Sequence, residues 1–289
     1  MKTVLDCLTS GTSYLDGKGI ESPRRNMECI VAHQLGCTRI ELYAHFDRPL
    51  SEGELLPLRE LLKRRGQGEP LQHLLGIIEF FGREFTCDSR ALIPRPETEE
   101  LVEAILKLDL PRPAQLLDMG TGSGVIGITL ALALADQAQA IVLADISSEA
   151  LSLARENAQR HGLNPVFVES DLLTKVEGRY DLITANLPYV SEKESATLSR
   201  EVSHDPDIAL FGGCDGLETF RRFLPGVSAY LEPGGWLALE IGANQGSEVT
   251  ALAERSGLDS VRLANDLSGN PRFVFAQRAG DNENTPLLP

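Results

Sequence analysis

The chain has 289 residues, 42% of them hydrophobic and 24% charged, and a net charge of −15. It is long enough to bury one large or two unequal cores, and its excess of negative charge disfavours nonspecific binding to nucleic-acid phosphates or anionic membranes at long range. Five scattered cysteines without a Cys-x-x-Cys pair, and five histidines that fall singly, argue against a disulfide framework and a zinc site, so the expectation is a reducing compartment and no bound metal.

Asp6 interrupts the only short apolar stretch near Met1, so no signal peptide is expected there. The longest apolar run, Val125 to Ala135, falls short of the roughly 20 residues that span a bilayer. Both readings predict a soluble, cytoplasmic protein.

Residues 1–70 read as a small all-helical unit. Ser22-Pro23 supplies an N-cap and a first-turn proline, Met27, Ile30, Val31 and Leu35 recur at helical spacing, and Gly36 stands at a C′ position. Ser51-Glu52-Gly53-Glu54 is a capping box ahead of the stripe Leu55, Leu58, Leu61 and Leu62, and Lys63-Arg64-Arg65 suits the negative end of that helix dipole. Residues 71–92 form a joint: two aromatic and branched runs on either side of Gly82 predict a β-hairpin. Then Ile93-Pro94-Arg95-Pro96-Glu97-Thr98-Glu99 opens a helix with two backbone-fixing prolines and acidic first-turn residues.

Strands and helices alternate over residues 93–278, which predicts an α/β domain with a doubly wound sheet. The strand from Ala114 to Asp118 runs into Gly120-Thr121-Gly122-Ser123-Gly124 and then an apolar helix. Glycines at the carboxyl end of a first strand let a ligand approach the backbone. Val125 stands where a dinucleotide fingerprint needs its last glycine, and there is no Gly-Lys-Ser/Thr for a phosphate loop. The second strand, Ala140 to Ala144, ends in Asp145, placed to accept from ribose hydroxyls. The third ends at Glu169-Ser170-Asp171-Leu172, where Asp171 could meet an adenine amino group and Leu172 cover its ring. Three successive strand ends with polar groups point to a nucleoside cofactor.

The fourth strand, Asp181 to Ala185, ends in Asn186-Leu187-Pro188-Tyr189. Pro188 holds Leu187 extended, which frees the Leu187 carbonyl; with the Asn186 side-chain oxygen it could grip a planar NH2 group. A plain strand followed by a proline-ended loop, with Tyr189 as core filler, fits these residues as well. A fifth strand, Trp236 to Gly242, is expected after a turn at Pro233-Gly234-Gly235, then an antiparallel pair, and a disordered tail over residues 279–289.

Asp118 with the glycine turn, Asp145, Asp171 and the Asn-x-Pro-Tyr strand end resemble the seven-stranded methyltransferases that use S-adenosylmethionine. Glu79-Phe80-Phe81-Gly82, Ile93-Pro94-Arg95-Pro96-Glu97-Thr98-Glu99 and Gly212-Gly213-Cys214-Asp215-Gly216-Leu217 resemble, more narrowly, the release-factor glutamine methyltransferases. The likeness covers about Gly68 to Ala276, and a helical N-terminal unit belongs to it. It implies a Rossmann-like sheet of seven strands and N5-methylation of the glutamine in the Gly-Gly-Gln motif of class 1 peptide chain release factors. By position it implies that Asp118, Gly120, Thr121, Gly122, Ser123, Gly124, Asp145, Asp171, Leu172 and Asn186 bind S-adenosylmethionine. Asn186, Leu187, Pro188 and Tyr189 would hold and activate the glutamine, with Tyr189 packed on the amide plane. Arg95, Pro96 and Glu97 would bind substrate, and the helical unit would recognise the release factor, the enzyme acting as a monomer with no nucleic-acid or membrane partner.

Two departures stand out. Leu187 replaces the first proline of the usual Asn-Pro-Pro-Tyr, and Asp205-Pro206 stands where Glu-Pro is usual. Asn-Leu-Pro-Tyr resembles adenine methyltransferases of ribosomal RNA, so N6-adenine RNA methylation is the alternative substrate reading, and a noncatalytic scaffold the alternative of a different class.

Overall fold

The alternation of apolar strands and amphipathic helices produces a seven-stranded sheet in a computed structural model that describes residues 2–135 and 138–280. A two-stranded hairpin precedes it, β1 (Ile77–Phe80) and β2 (Arg83–Thr86). The sheet is built from β3 (Ala114–Met119), β4 (Ala138–Asp145), β5 (Val166–Glu169), β6 (Tyr180–Asn186), β7 (Leu231–Glu240), β8 (Asp259–Asn265) and β9 (Pro271–Gln277). Its spatial order is β5-β4-β3-β6-β7-β9-β8; β3 through β7 are parallel, and β9 is antiparallel to both β7 and β8.

The chain divides into two compact units, one of residues 1–78 with 199–204, the other of residues 79–198 with 205 onward. In the helical unit, Val4, Leu8, Leu15, Met27, Ile30, Val31, Leu42 and Leu58 form one core. The Ser51 capping box is present, with Ser51 Oγ accepting from the Glu54 amide. Ser22 is different: its φ of 48° is left-handed and its side chain makes no cap bond, so Pro23 alone starts that helix. Arg65 also does more than face a helix dipole. It is 2% exposed, and its guanidinium donates to Asn26 Oδ1 at 2.7 Å, to the Glu69 carbonyl at 3.0 Å and to the Glu201 carboxylate. The short segment 199–204 thus joins the helical unit through a buried cation, a link that no local pattern announces.

In the second unit the central strands β3 and β6 are buried on both faces, which is why they read as near-continuous apolar runs. The helix Glu218–Val227 shows the complementary pattern: Phe220, Phe223, Leu224 and Val227 recur at helical spacing and are fully buried against the sheet. Truncating Phe223 to alanine there would cost about 3–5 kcal/mol. The turn expected at Pro233-Gly234-Gly235 is instead part of β7, where Gly234 has φ 78° and the Gly235 carbonyl accepts from the Arg278 amide. Edge pairing with the end of β9 absorbs a sequence that looks like a turn in isolation. A five-residue helix, Leu71–Leu75, precedes the hairpin and was not anticipated. Residues 281–289, most of the expected tail, lie outside the described residues. No helix among the described residues is long and apolar enough to cross a membrane.

Candidate active site

The strand order reverses between β3 and β6, because the chain first builds outward through β4 and β5 and then returns to the other side of β3. Loops leaving the two sides part at that point, and open α/β sheets bind ligands in the resulting crevice at the strands' carboxyl ends. A cavity of about 270 Å³ lies there, lined by the glycine turn after β3, Asp145 after β4, Ser170 to Leu172 after β5 and Asn186 to Pro188 after β6. Residues of segments 90–94 and 206–211, with Thr98, Thr219 and Arg222, add to its wall.

Asp145 is 9% exposed, and burial raises its carboxyl above the usual range. Its Oδ2 accepts from the Gly122 amide at 2.8 Å and its Oδ1 from the Ser147 amide at 2.9 Å. A carboxylate has about four acceptor sites, so capacity remains for a hydroxyl in the cavity. Ser123 also lines the cavity, and its buried Oγ has no hydrogen-bond partner among the described residues. Ile146, Ala150 and Leu172 supply apolar surface. A diol-accepting carboxylate, a buried hydroxyl without a partner and an apolar slot fit a nucleoside carrying an amino-acid arm, as S-adenosylmethionine does.

Leu172 is held in a conformation that leucine avoids, with φ 50°. Ser170, 2% exposed, enforces it: its hydroxyl donates to the Leu172 carbonyl at 2.5 Å and accepts from the Lys175 amide at 3.0 Å, while its own amide donates to the Asp145 carbonyl at 2.9 Å. The strain is of order 1–3 kcal/mol and puts a leucine on the cavity wall. Asp171 is half-exposed at the mouth and paired with Arg222, Nη2 to Oδ2 at 2.6 Å. Nothing in the local sequence pointed to Ser170 or Arg222.

Two of the residues expected at the cofactor do not line the cavity. Gly124 turns away beneath the helix it starts, and Asp118 is buried under the turn, where its Oδ2 accepts from Thr121 Oγ1 at 2.6 Å and from the Gly127 amide at 3.0 Å. Burial pushes the Asp118 carboxyl up to about 7 against those two hydrogen bonds. Its place is to shape the turn. Gly120 does line the cavity, with φ 66°; a Cβ there would stand 3.0 Å from Leu187 Cδ2 and 3.5 Å from the Asn186 carbonyl oxygen. The glycine turn and the Asn-Leu-Pro stretch therefore face each other at van der Waals contact.

Asn186, Leu187 and Pro188 reach the cavity, but Tyr189 does not. Its ring is turned behind the strand end, where its hydroxyl donates to Glu240 Oε1 at 3.2 Å, and burial with the nearby Glu240 charge raises its pKa. The ring is thus placed to anchor the strand end, outside the lining of the cavity. Leu187 is 3% exposed and belongs to the core cluster with Leu217 and Phe220, so the residue that replaces the usual proline is held by packing. The glycine-rich loop lies against the same stretch. Gly212 has no room for a side chain unless the backbone shifts, since a Cβ would stand 2.5 Å from the Pro188 carbonyl oxygen, and its amide donates to the Val190 carbonyl at 2.9 Å.

Arg95, Pro96 and Glu97 do not line the cavity either; the next residue, Thr98, does. Arg95 pairs with Asp205, and the Ile93 amide donates to the same carboxylate. Pro96 begins the helix Pro96–Ile105, and Glu99 in its first turn accepts from the Phe81 amide at 3.0 Å. Two of the three segments that resemble one family thus brace one another.

Comparison with known proteins places this architecture. Residues 6–76 match the PrmC N-terminal domain family and residues 98–206 the methyltransferase small domain family. A methyltransferase from Pyrococcus furiosus shares the fold, with a TM-score of 0.51 and 18% identity over 69% of this chain and 90% of that one. The release factor glutamine methyltransferase of Geobacter sulfurreducens is 39% identical over 94% of this chain and 95% of its own length, and that of Deinococcus radiodurans 38% identical over 95% and 98%. That of Bacillus subtilis is 35% identical over 96% and 98%. With such similarity along nearly their whole lengths, this chain belongs to the release factor glutamine methyltransferase family.

Proposed function

We propose that the protein transfers a methyl group from S-adenosylmethionine to the side-chain amide nitrogen, N5, of the glutamine in the Gly-Gly-Gln motif of class 1 peptide chain release factors. The observation that carries the reading is the close approach of the glycine turn to Asn186 and Leu187 inside one cavity, so that groups suited to the cofactor and to a planar amide lie within a few ångströms of each other. When bound, S-adenosylmethionine supplies an electrophilic sulfonium methyl. Asp145 would hold its ribose, Gly120 to Ser123 its amino-acid arm, and Ile146, Leu172 and Asp171 its base.

An amide nitrogen is a weak nucleophile because its lone pair is delocalised into the carbonyl. Asn186 Oδ1 and the Leu187 carbonyl would accept its two hydrogens, shifting electron density onto nitrogen and fixing its direction of attack. Positioning and fixed dipoles then supply much of the rate enhancement. The N–H proton would become acidic only as the methyl passes from sulfur to nitrogen and would then leave to water, so no strong base needs to stand beside the nitrogen. Leucine serves at position 187 because the acceptor is a backbone atom, and its side chain is locked in the core.

The helical unit, which matches the PrmC N-terminal domain, would dock the release factor. No nucleic-acid contact is required, consistent with the net charge of −15. The test is incubation with methyl-labelled S-adenosylmethionine and either release factor or ribosomal RNA, followed by mass spectrometry of the tryptic peptides. Label on the Gly-Gly-Gln glutamine is expected. Label confined to RNA would overturn the substrate assignment, and label in neither would overturn catalysis.

A further inference from the structure

Two buried side chains outside the glycine turn and the Asn-Leu-Pro-Tyr stretch control which face of the Asn186 amide looks into the cavity. Thr98 Oγ1 donates to Glu240 Oε2 at 2.7 Å, and the two residues are 2% and 1% exposed. A threonine hydroxyl has one proton. While Glu240 is ionised that proton is committed to the carboxylate, and Oγ1 can only accept from its other neighbour. That neighbour is Asn186, whose Nδ2 lies 3.5 Å away.

The asparagine NH2 is therefore turned toward Thr98, and Oδ1 is the atom left for the cavity. The distinction matters chemically. A flipped Asn186 would present NH2 hydrogens to the hydrogens of an incoming amide nitrogen, losing the acceptor and adding a repulsion. Glu240 holds the other end of the stretch as well, since its Oε1 accepts from the Tyr189 hydroxyl at 3.2 Å. It can do both because β6 and β7 pair with Asn186 directly opposite Glu240.

We propose that Glu240 and Thr98 are positioning residues for methyl transfer: the carboxylate makes Thr98 an acceptor only, and Thr98 in turn holds Asn186 with its side-chain oxygen toward the substrate nitrogen. This rests on the reading of Asn186 as the acceptor for the glutamine amide. Neither residue needs to touch substrate through the hydrogen bonds described. Their effect is to remove one of two nearly isosteric orientations of a side-chain amide.

The test compares Thr98→Val, Thr98→Ser, Asn186→Ala, the Thr98→Val/Asn186→Ala double variant and Glu240→Gln, by kcat with release factor and by cofactor Kd from calorimetry. Thr98→Val keeps the shape and removes the hydroxyl, and should lower kcat about tenfold to a hundredfold with cofactor Kd unchanged. Thr98→Ser, which restores the hydroxyl, should recover kcat to within about threefold of wild type. Glu240→Gln offers one acceptor and one NH2 where the carboxylate offers two acceptors, so its kcat should fall between wild type and Thr98→Val. In the Asn186→Ala background Thr98→Val should cause no further loss, because its effect passes through Asn186. Wild-type kcat in Thr98→Val, or an equal loss in both backgrounds, overturns the proposal. Undiminished turnover in Asn186→Ala overturns instead the reading of the site on which it rests.

Discussion

Arg95 and Asp205 stand 110 positions apart in the chain and meet in an ion pair of 2.8 Å, the Asp205 side chain wholly buried and that of Arg95 one-third exposed. The same carboxylate accepts from the Ile93 amide at 3.2 Å. One aspartate thereby fixes both ends of the Ile-Pro-Arg segment that carries Thr98 into the cavity wall. The shorter acid in place of the usual glutamate is fully used.

Asp205→Ala should destabilise the protein by about 3 kcal/mol, the low end for removing one partner of a buried pair because Arg95 retains some access to water. Chemical denaturation measures it. A loss below about 0.5 kcal/mol, the scale of an ordinary surface substitution, would show that the pair does not hold the segment.

If the Asn186 side chain grips the amide to be methylated, Asn186→Ala should reduce turnover by about a hundredfold or more while cofactor affinity stays within about threefold. Steady-state kinetics with saturating release factor, set beside calorimetric cofactor binding, separates the two effects. Near-normal kcat would remove Asn186 from the chemistry.

Ser170→Ala should do the converse. Without the hydroxyl that ties down the Leu172 carbonyl and the Lys175 amide, Leu172 relaxes from its left-handed conformation and the apolar wall moves. Loss of about 1.4 kcal/mol corresponds to a tenfold rise in cofactor Kd, with kcat at saturation little changed. A fall in kcat with unaltered cofactor Kd would place Ser170 in a different role.

Asp118 gives a pH signature. Burial raises its pKa from 3.8 to about 7, so the folded protein binds this proton more tightly than the unfolded chain. Its contribution to stability is therefore greatest when the carboxyl is protonated in both states and is lost as pH rises through about 7. Asp118→Asn does not titrate. The stability of wild type relative to Asp118→Asn should thus fall by roughly 2 kcal/mol between about pH 5.5 and about pH 8, read from denaturation curves of both proteins. A difference that is flat with pH, or that grows as pH rises, would show that Asp118 is not protonated by burial.

Gly212→Ala should destabilise by about 1–3 kcal/mol, since the new Cβ would overlap the Pro188 carbonyl oxygen and the backbone must yield. The shift falls on the stretch proposed to hold the substrate amide, so kcat should drop along with Tm. An unchanged Tm would mean that the loop moves freely away from Pro188.

What the sequence determined by itself was whatever is encoded locally. Apolar runs ending in Gly120 to Gly124, Asp145, Asp171-Leu172 and Asn186 are strand ends, and strand ends of a parallel sheet share one edge, so the cavity and most of its lining could be read from the pattern. The glycine turn was legible for the same reason, since glycine is the residue that can take its left-handed conformations. Tertiary structure decided which way side chains face and what they meet. Thr98 and Glu240 are 142 positions apart, Arg95 and Asp205 110, and Arg65 and Glu201 136. Such pairs form because each buried polar group must find a partner, and the fold, not sequence proximity, brings the candidates together. That is why Tyr189 was expected at the amide and is tied to Glu240 outside the cavity lining, and why Asp118 lies under the glycine turn rather than in the cavity. Asn186 was plain in the sequence; the direction of its amide was not, because that depends on one proton of Thr98 and the carboxylate that claims it.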